Sequence, residues 1–166
     1  YMQKNLNLNQ LAKFMDATFS GRLNEDKIKR IRDHWKGKLV LKGAESIHDV
    51  EKAYQLGLDG VIISNHGGRQ VDVGQATIDS LNSIVPLYKD KIKVMMDSGI
   101  RGGADVARVM ASGADFSFMG RTFMYGVSAL GKKGGNHTIA MLKTQLTQVM
   151  EQMSCAEVND LTKNLI

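Results

Sequence analysis

The chain has 166 residues, 43% hydrophobic and 23% charged, with a formal net charge of +5 and a single cysteine. It is long enough to bury a core, and its composition excludes a disordered chain, a disulfide framework and any cysteine-cluster zinc or iron–sulfur site. No apolar run approaches about eighteen residues, the opening YMQKNLNLNQ lacks the apolar stretch of a secretory signal, and the length falls short of the roughly 200 residues of a complete (βα)8 barrel. Position 1 is Tyr rather than Met, as expected of a piece of a longer or processed chain.

In chain order, Leu8, Leu11, Phe14 and Met15 recur at helical spacing up to a break at Ser20-Gly21. Asn24 can cap a second helix carrying Ile28, Ile31 and Trp35, which stops near Gly37. From Lys27 to Lys42 seven basic residues face Asp33 alone, so the charge excess is local. It reads as a solvated helix face, and without a nucleic-acid motif no nucleic-acid partner is expected. Short apolar runs follow at 39–41, 61–63, 92–96 and 116–119, each ending in a polar or glycine-rich turn. Between them lie helical patterns: Ser46 capping Val50, Ala53 and Leu56; Ile78, Leu81, Ile84 and Val85, stopped near Pro86; then Val106, Val109 and Met110. A longer final region carries Ile139, Leu142, Leu146, Met150 and Met153.

Four repeats of strand, turn and helix predict parallel βα units with both sheet faces covered. No linker interrupts them, so residues 1–166 read as one domain. Its parts are a helical lead-in at 1–37, βα units at 38–130 and terminal helices at 131–166. A small doubly wound sheet and half of a (βα)8 barrel both fit this pattern.

In either architecture ligands bind at the carboxyl ends of the strands. Those ends carry Lys42-Gly43, Ser64 to Gln70, Asp97 to Gly103, and Gly120-Arg121. The last two turns read as an anion site. Gly99, Gly102 and Gly103 allow close backbone approach, a helix expected to start near Ala104 favours negative charge, and Arg101 and Arg121 are forks suited to phosphate. Glycines that merely make tight turns are the plainer alternative. The second turn reads as a reaction site: His66 can exchange a proton near neutral pH, and Arg69 can hold a carboxylate. A structural His66 and a snorkelling Lys42 remain open on the residues alone.

SNHGGRQ at 64–70, with LVLKG at 39–43, MDSGIRGGADV at 96–106 and MGR at 119–121, resembles the FMN-dependent family that oxidises 2-hydroxy acids. The resemblance runs from about residue 24 to the C-terminus. It implies the C-terminal half of a (βα)8 barrel, an α/β fold of four βα units with terminal helices. Phosphate barrels such as type 2 isopentenyl diphosphate isomerase share the glycine–arginine turns but lack SNHGGRQ.

The resemblance implies these roles. His66 is the base toward the substrate, and Arg69 clamps its carboxylate. Lys42 is the cation beside the flavin N1–O2 edge, Ser64 lines the flavin face, and Asp97 is a ribityl-chain partner. Gly99, Arg101, Gly120 and Arg121 hold the FMN phosphate, and no metal is expected. The implied reaction is FMN-dependent oxidation of a small (S)-2-hydroxy acid such as L-lactate, with quinone or oxygen as acceptor. A homo-oligomer is implied, either cytoplasmic or peripheral on the inner face of the plasma membrane. Ser98 stands where many oxidases of the family have glycine. The ending Asn164-Leu165-Ile166 is not of the peroxisomal type, which also favours a bacterial dehydrogenase. The family's first four strands supply further flavin and substrate contacts, so these 166 residues are expected to be incompetent alone. The alternatives are a glycolate- or mandelate-oxidising relative and a non-catalytic half-barrel that binds FMN weakly or self-associates. His34, His48 and His137 are expected at the surface or as caps, Cys155 carries no nucleophile motif, the methionines are packing, and residues 132–135 form an exposed loop.

Overall fold

The computed structural model describes residues 7–18 and 23–164, so the Ser20-Gly21 break lies outside the described residues. Two predicted caps are in place: Asn24 Oδ1 accepts the Lys27 N–H at 3.0 Å and Ser46 Oγ accepts the Asp49 N–H at 3.1 Å. They start α2 (Glu25–His34) and α3 (Ile47–Gln55). Ahead of them lies α1 (Leu8–Thr18). The strands are β1 (Val40–Ala44), β2 (Gly60–Ile63), β3 (Lys93–Met96) and β4 (Phe116–Ser117). Between and after them come α4 (Thr77–Tyr88), α5 (Gly103–Ala111), α6 (Arg121–Leu130) and α7 (Gly134–Gln152). Pairing at β4 runs one step past the strand, since the Phe118 N–H reaches Met96 O at 2.9 Å.

The four strands are parallel and lie in chain order, β1-β2-β3-β4. Alternate residues therefore face opposite sides. Val61, Ile63, Val94 and Met96 are at most 3% exposed and form one core with Val50 of α3, Leu81 and Ile84 of α4, and Val109 of α5. On the opposite side Val40, Phe116 and Phe118 are 39%, 55% and 41% exposed. Helices on one face and strands in sequential order exclude the doubly wound sheet, which covers both faces and reverses its order. The fold is four βα units of a half-barrel, and the expectation that both faces are covered is corrected: the concave face is open.

Two other readings are corrected. Pro86 does not stop α4 but lies inside its last turn. A proline withholds only its own N–H, its ring is on the exposed side, and Tyr88, 8% exposed, anchors the turn in the core. Residues 132–135 do not form a loop, although Lys132 and Lys133 are exposed. Gly131–Lys133 make a 3₁₀ turn and buried Gly134 opens α7, packed backbone to backbone on Gly126 of α6, where a Cβ would collide. Behind α5, a second small core joins Ala107 and Ala111 to Cys155 and Leu161, with Leu146 and Met150 packed on it.

At the amino ends of the strands one turn occurs twice. Gly57-Leu58-Asp59 leads into β2, and Gly113-Ala114-Asp115 leads into β4, with Gly57 and Gly113 at φ of 71° and 90°. Asp59 accepts the Leu39 N–H at 2.9 Å and pairs with Lys38 at 2.8 Å and Arg32 at 3.1 Å. Asp115 accepts the Val94 N–H at 2.8 Å and pairs with Lys93 at 2.8 Å. The hydrogen bonds from Lys38, the Leu39 amide and Arg32 hold the Asp59 carboxyl at about 2.

Candidate active site

The carboxyl ends of the strands open on a cleft of about 280 Å³. Eight of the nine predicted site residues line it, and Ser64, 2% exposed, lies beneath it. Lys42 arrives on β1 just before Gly43, whose φ of +95° accompanies a register shift between Lys42 and Ala44. Its ammonium is not free at the surface. It pairs with Asp97 Oδ2 at 3.0 Å and donates to Ser64 Oγ at 2.9 Å.

Asp97 directly follows β3, with a side chain 16% exposed. Burial pushes its carboxyl up, but hydrogen bonds from Ser64, Ser98 and Lys42 together outweigh that and hold it below its ordinary value. The site thus keeps an ionised carboxylate pinned to a lysine.

After β2 the chain makes a tight 3₁₀ turn, His66–Gly68, with three consecutive left-handed residues at φ of 56°, 69° and 71°. Glycine takes this conformation freely, whereas His66 takes it only because its neighbours hold it there. Asn65 Oδ1 accepts the Gly67 N–H at 3.0 Å and Ser64 Oγ accepts the His66 N–H at 3.1 Å. The turn leaves the His66 ring and the Arg69 guanidinium exposed on the cleft, without a protein hydrogen bond among the described residues. A ring nitrogen able to take a proton and a fork able to take a carboxylate therefore both face the same space.

The anion site is built differently from the sequence expectation. The amides that open α5 are occupied: Arg101 and Gly102 N–H both donate to Asp105 Oδ2, at 3.0 and 3.2 Å, and Gly103 N–H donates to Gln145 Oε1 of α7 at 2.9 Å. The α5 terminus is therefore corrected as the source of anion-binding amides. At the amino end of α6, Gly120 and Arg121 line the cleft, and the first amides of a helix have no acceptor within it. Gly99 adds an open backbone position at φ of +77°, and the Arg101 guanidinium is unpaired among the described residues. Arg121 commits one amine to Gly67 O at 2.7 Å, tying the anion turn to the histidine turn. Four cationic side chains against Asp97 fit a phosphomonoester beside a carboxylate-bearing substrate.

Sequence reasoning missed Ser98, which bridges two of these turns, and Phe118 and Met124, which give the cleft an apolar wall. Only the departure of Ser98 from glycine marked it in advance. Of the other histidines, His34 is exposed at the end of α2, and His48 and His137 are exposed on α3 and α7. Among the described residues no cluster of His, Cys, Asp or Glu could hold a metal, and no helix is long and apolar enough to cross a membrane.

Residues 2–166 match the family model described as FMN-dependent dehydrogenase. The L-lactate dehydrogenase of Bartonella quintana is 35% identical over 162 residues, covering 98% of this chain and 42% of that protein. An FMN-dependent alpha-hydroxy acid dehydrogenase of Schizosaccharomyces pombe is 38% identical over 141 residues, 84% of this chain and 35% of that protein. The chain thus spans less than half the length of these curated relatives. Among solved structures, mandelate oxidase with benzoyl-formic acid superposes with a TM-score of 0.80 at 31% identity, over 84% of this chain and 42% of that one. The monotopic membrane protein (S)-mandelate dehydrogenase superposes with a TM-score of 0.88 at 32% identity, over 97% of this chain and 43% of that one.

Proposed function

Because the chain belongs to the FMN-dependent dehydrogenase family, we propose that within a complete (βα)8 barrel it oxidises a small (S)-2-hydroxy acid, L-lactate foremost, to the 2-oxo acid. The carrying observation is that the His66 ring and the Arg69 fork, both without a protein hydrogen bond among the described residues, share one cleft with the Lys42–Asp97 pair. In this reading Arg69 takes the substrate carboxylate and presents the hydroxyl-bearing carbon to His66. The acid loses two electrons and two protons, one from oxygen and one from carbon, and His66 accepts a proton. FMN, when bound, would take up the two electrons and the second proton. Arg101, Arg121 and the backbone at Gly99 and Gly120 would hold its phosphate. Lys42, kept in place by Asp97 and Ser64, would supply the cation that stabilises negative charge at the N1–O2 edge of the reduced flavin.

The open concave face, with Phe116 and Phe118 uncovered, supports the need for a second half to close the barrel. Quinone or oxygen is the proposed final acceptor and a homo-oligomer the proposed assembly. Peripheral attachment to the inner face of the plasma membrane is the proposed location. It is supported by α1, which has no buried residue and exposes Leu8, Phe14 and Met15. The test is anaerobic addition of L-lactate to the full-length FMN-loaded protein. Bleaching of the flavin absorbance supports the proposal. A protein that binds FMN but is not bleached by L-lactate, glycolate or mandelate refutes it.

A further inference from the structure

Two serine hydroxyls in this site receive successive amides of the histidine turn. Ser64 Oγ accepts the His66 N–H at 3.1 Å and the Lys42 ammonium at 2.9 Å, and that ammonium pairs with Asp97 Oδ2 at 3.0 Å. Ser98 Oγ donates to Asp97 Oδ1 at 2.7 Å and accepts the Gly67 N–H at 3.0 Å. Successive amides of the histidine turn thus each reach a serine oxygen, Gly67 sharing its proton between Ser98 Oγ and Asn65 Oδ1 at 3.0 Å each, and both serines are tied to Asp97, Ser98 directly and Ser64 through Lys42. An ionised carboxylate only accepts, so it fixes the Ser98 hydroxyl proton toward itself and turns the serine lone pairs toward the Gly67 amide.

Ser98 holds this position against its own backbone preference. Its φ is +76°, a left-handed conformation suited to the glycine that follows it at +77°. The Gly67 carbonyl in turn accepts from Arg121, so Ser98 also stands one residue from the anion turn.

We infer that Ser98 is a positioning residue for His66: with Ser64 it clamps the two amides of the left-handed turn to Asp97, so that the imidazole is held over the cleft instead of sampling other turn conformations. Ser98 touches neither the substrate nor the reacting atoms and acts through Gly67 and Asp97. The inference rests on the proposed role of His66 for its catalytic consequence, but the clamp itself does not depend on it.

Two substitutions separate the clamp from backbone strain. Ser98→Ala removes the hydroxyl and keeps the unfavourable backbone. Ser98→Gly removes the hydroxyl and relieves the backbone, so it guards against a variant that fails to fold. In the full-length protein, hydrogen exchange at the Gly67 amide is followed with and without FMN, alongside kcat, KM and the isotope effect of substrate deuterated at carbon 2. Both variants are expected to exchange the Gly67 amide about threefold faster, because the shared bond to Asn65 Oδ1 remains when that to Ser98 is lost. Both are expected to lower kcat about tenfold with KM nearly unchanged and a larger isotope effect. Wild-type exchange at Gly67 in Ser98→Gly, or its recovery of wild-type kcat, overturns the inference and leaves Ser98 a matter of backbone strain alone. If the wild-type protein fails to bleach with any hydroxy acid while Gly67 exchange still rises in both variants, the clamp stands and the proposed reaction falls.

Discussion

Replacing Lys42 by Met tests the electrostatic design of the cleft most directly. A full unit charge about 4 Å from the anionic edge of a reduced flavin would stabilise it by roughly 4 kcal/mol at an effective dielectric constant near 20. Two features of the site reduce that figure. Asp97 lies 3.0 Å from the ammonium and offsets part of its field, and the lysine side chain is 48% exposed, so solvent screens it. About 2 kcal/mol remains. For a two-electron couple this corresponds to a midpoint potential lowered by roughly 45 mV, and to flavin reduction slowed about thirtyfold. The charge develops only as electrons arrive, so FMN affinity should change little and the loss should fall on kcat. The assay is a spectroelectrochemical titration of wild-type and Lys42→Met full-length protein, with stopped-flow reduction by L-lactate. A potential unchanged within the error of the titration would mean that Lys42 serves only to neutralise Asp97, and the place given to it at the flavin edge would be wrong.

His66→Gln is expected to leave FMN bound and to lower turnover by at least about a hundredfold, the usual scale of a lost general base; a steady-state loss under tenfold rejects that role. Arg101→Ala and Arg121→Ala should each release flavin on dilution or gel filtration more readily than wild type, and full flavin occupancy in both would remove the phosphate from this turn. The Asp59 carboxyl is depressed to about 2 in the folded state from 3.8, so its contribution to stability is complete above about pH 4 and disappears as pH falls from there toward 2. Urea unfolding over that window should therefore show a steeper acid loss for wild type than for Asp59→Asn. Equal slopes would mean that the ion pairs with Arg32 and Lys38 do not stabilise the fold.

Much of the architecture is written locally. Asn24 and Ser46 announce their helices because a cap involves residues three apart, and the apolar runs announce strands because period and length are local quantities. The rim residues could be gathered from the sequence because strand order fixes which ends converge. What escaped depends on residues far apart in the chain. Nothing near Gly103 shows that Gln145, from another helix, takes its amide and so closes the α5 terminus to anions. Nothing near Gly134 shows that Gly126 packs against it and turns an apparent loop into a helix start. Pro86 misled for the opposite reason: the local rule against proline is real, but Tyr88 anchored in the core overrides it. The exposed concave face could not be seen either, because an apolar strand residue reads the same whether or not something covers it.

The twin Gly-X-Asp turns give this half-barrel a division of labour along its axis. Each latches a pair of neighbouring strands at the amino end, using an aspartate on an amide and a lysine, about 13 Å of strand away from the rim. Each two-strand module thus carries its own fastening, and none of that fastening uses a residue of the cleft. Substitutions that retune the rim for another hydroxy acid need not loosen the scaffold. A quarter of the barrel, duplicated or exchanged, would bring its latch with it, so chemistry and cohesion are free to change separately at the two ends of the same strands.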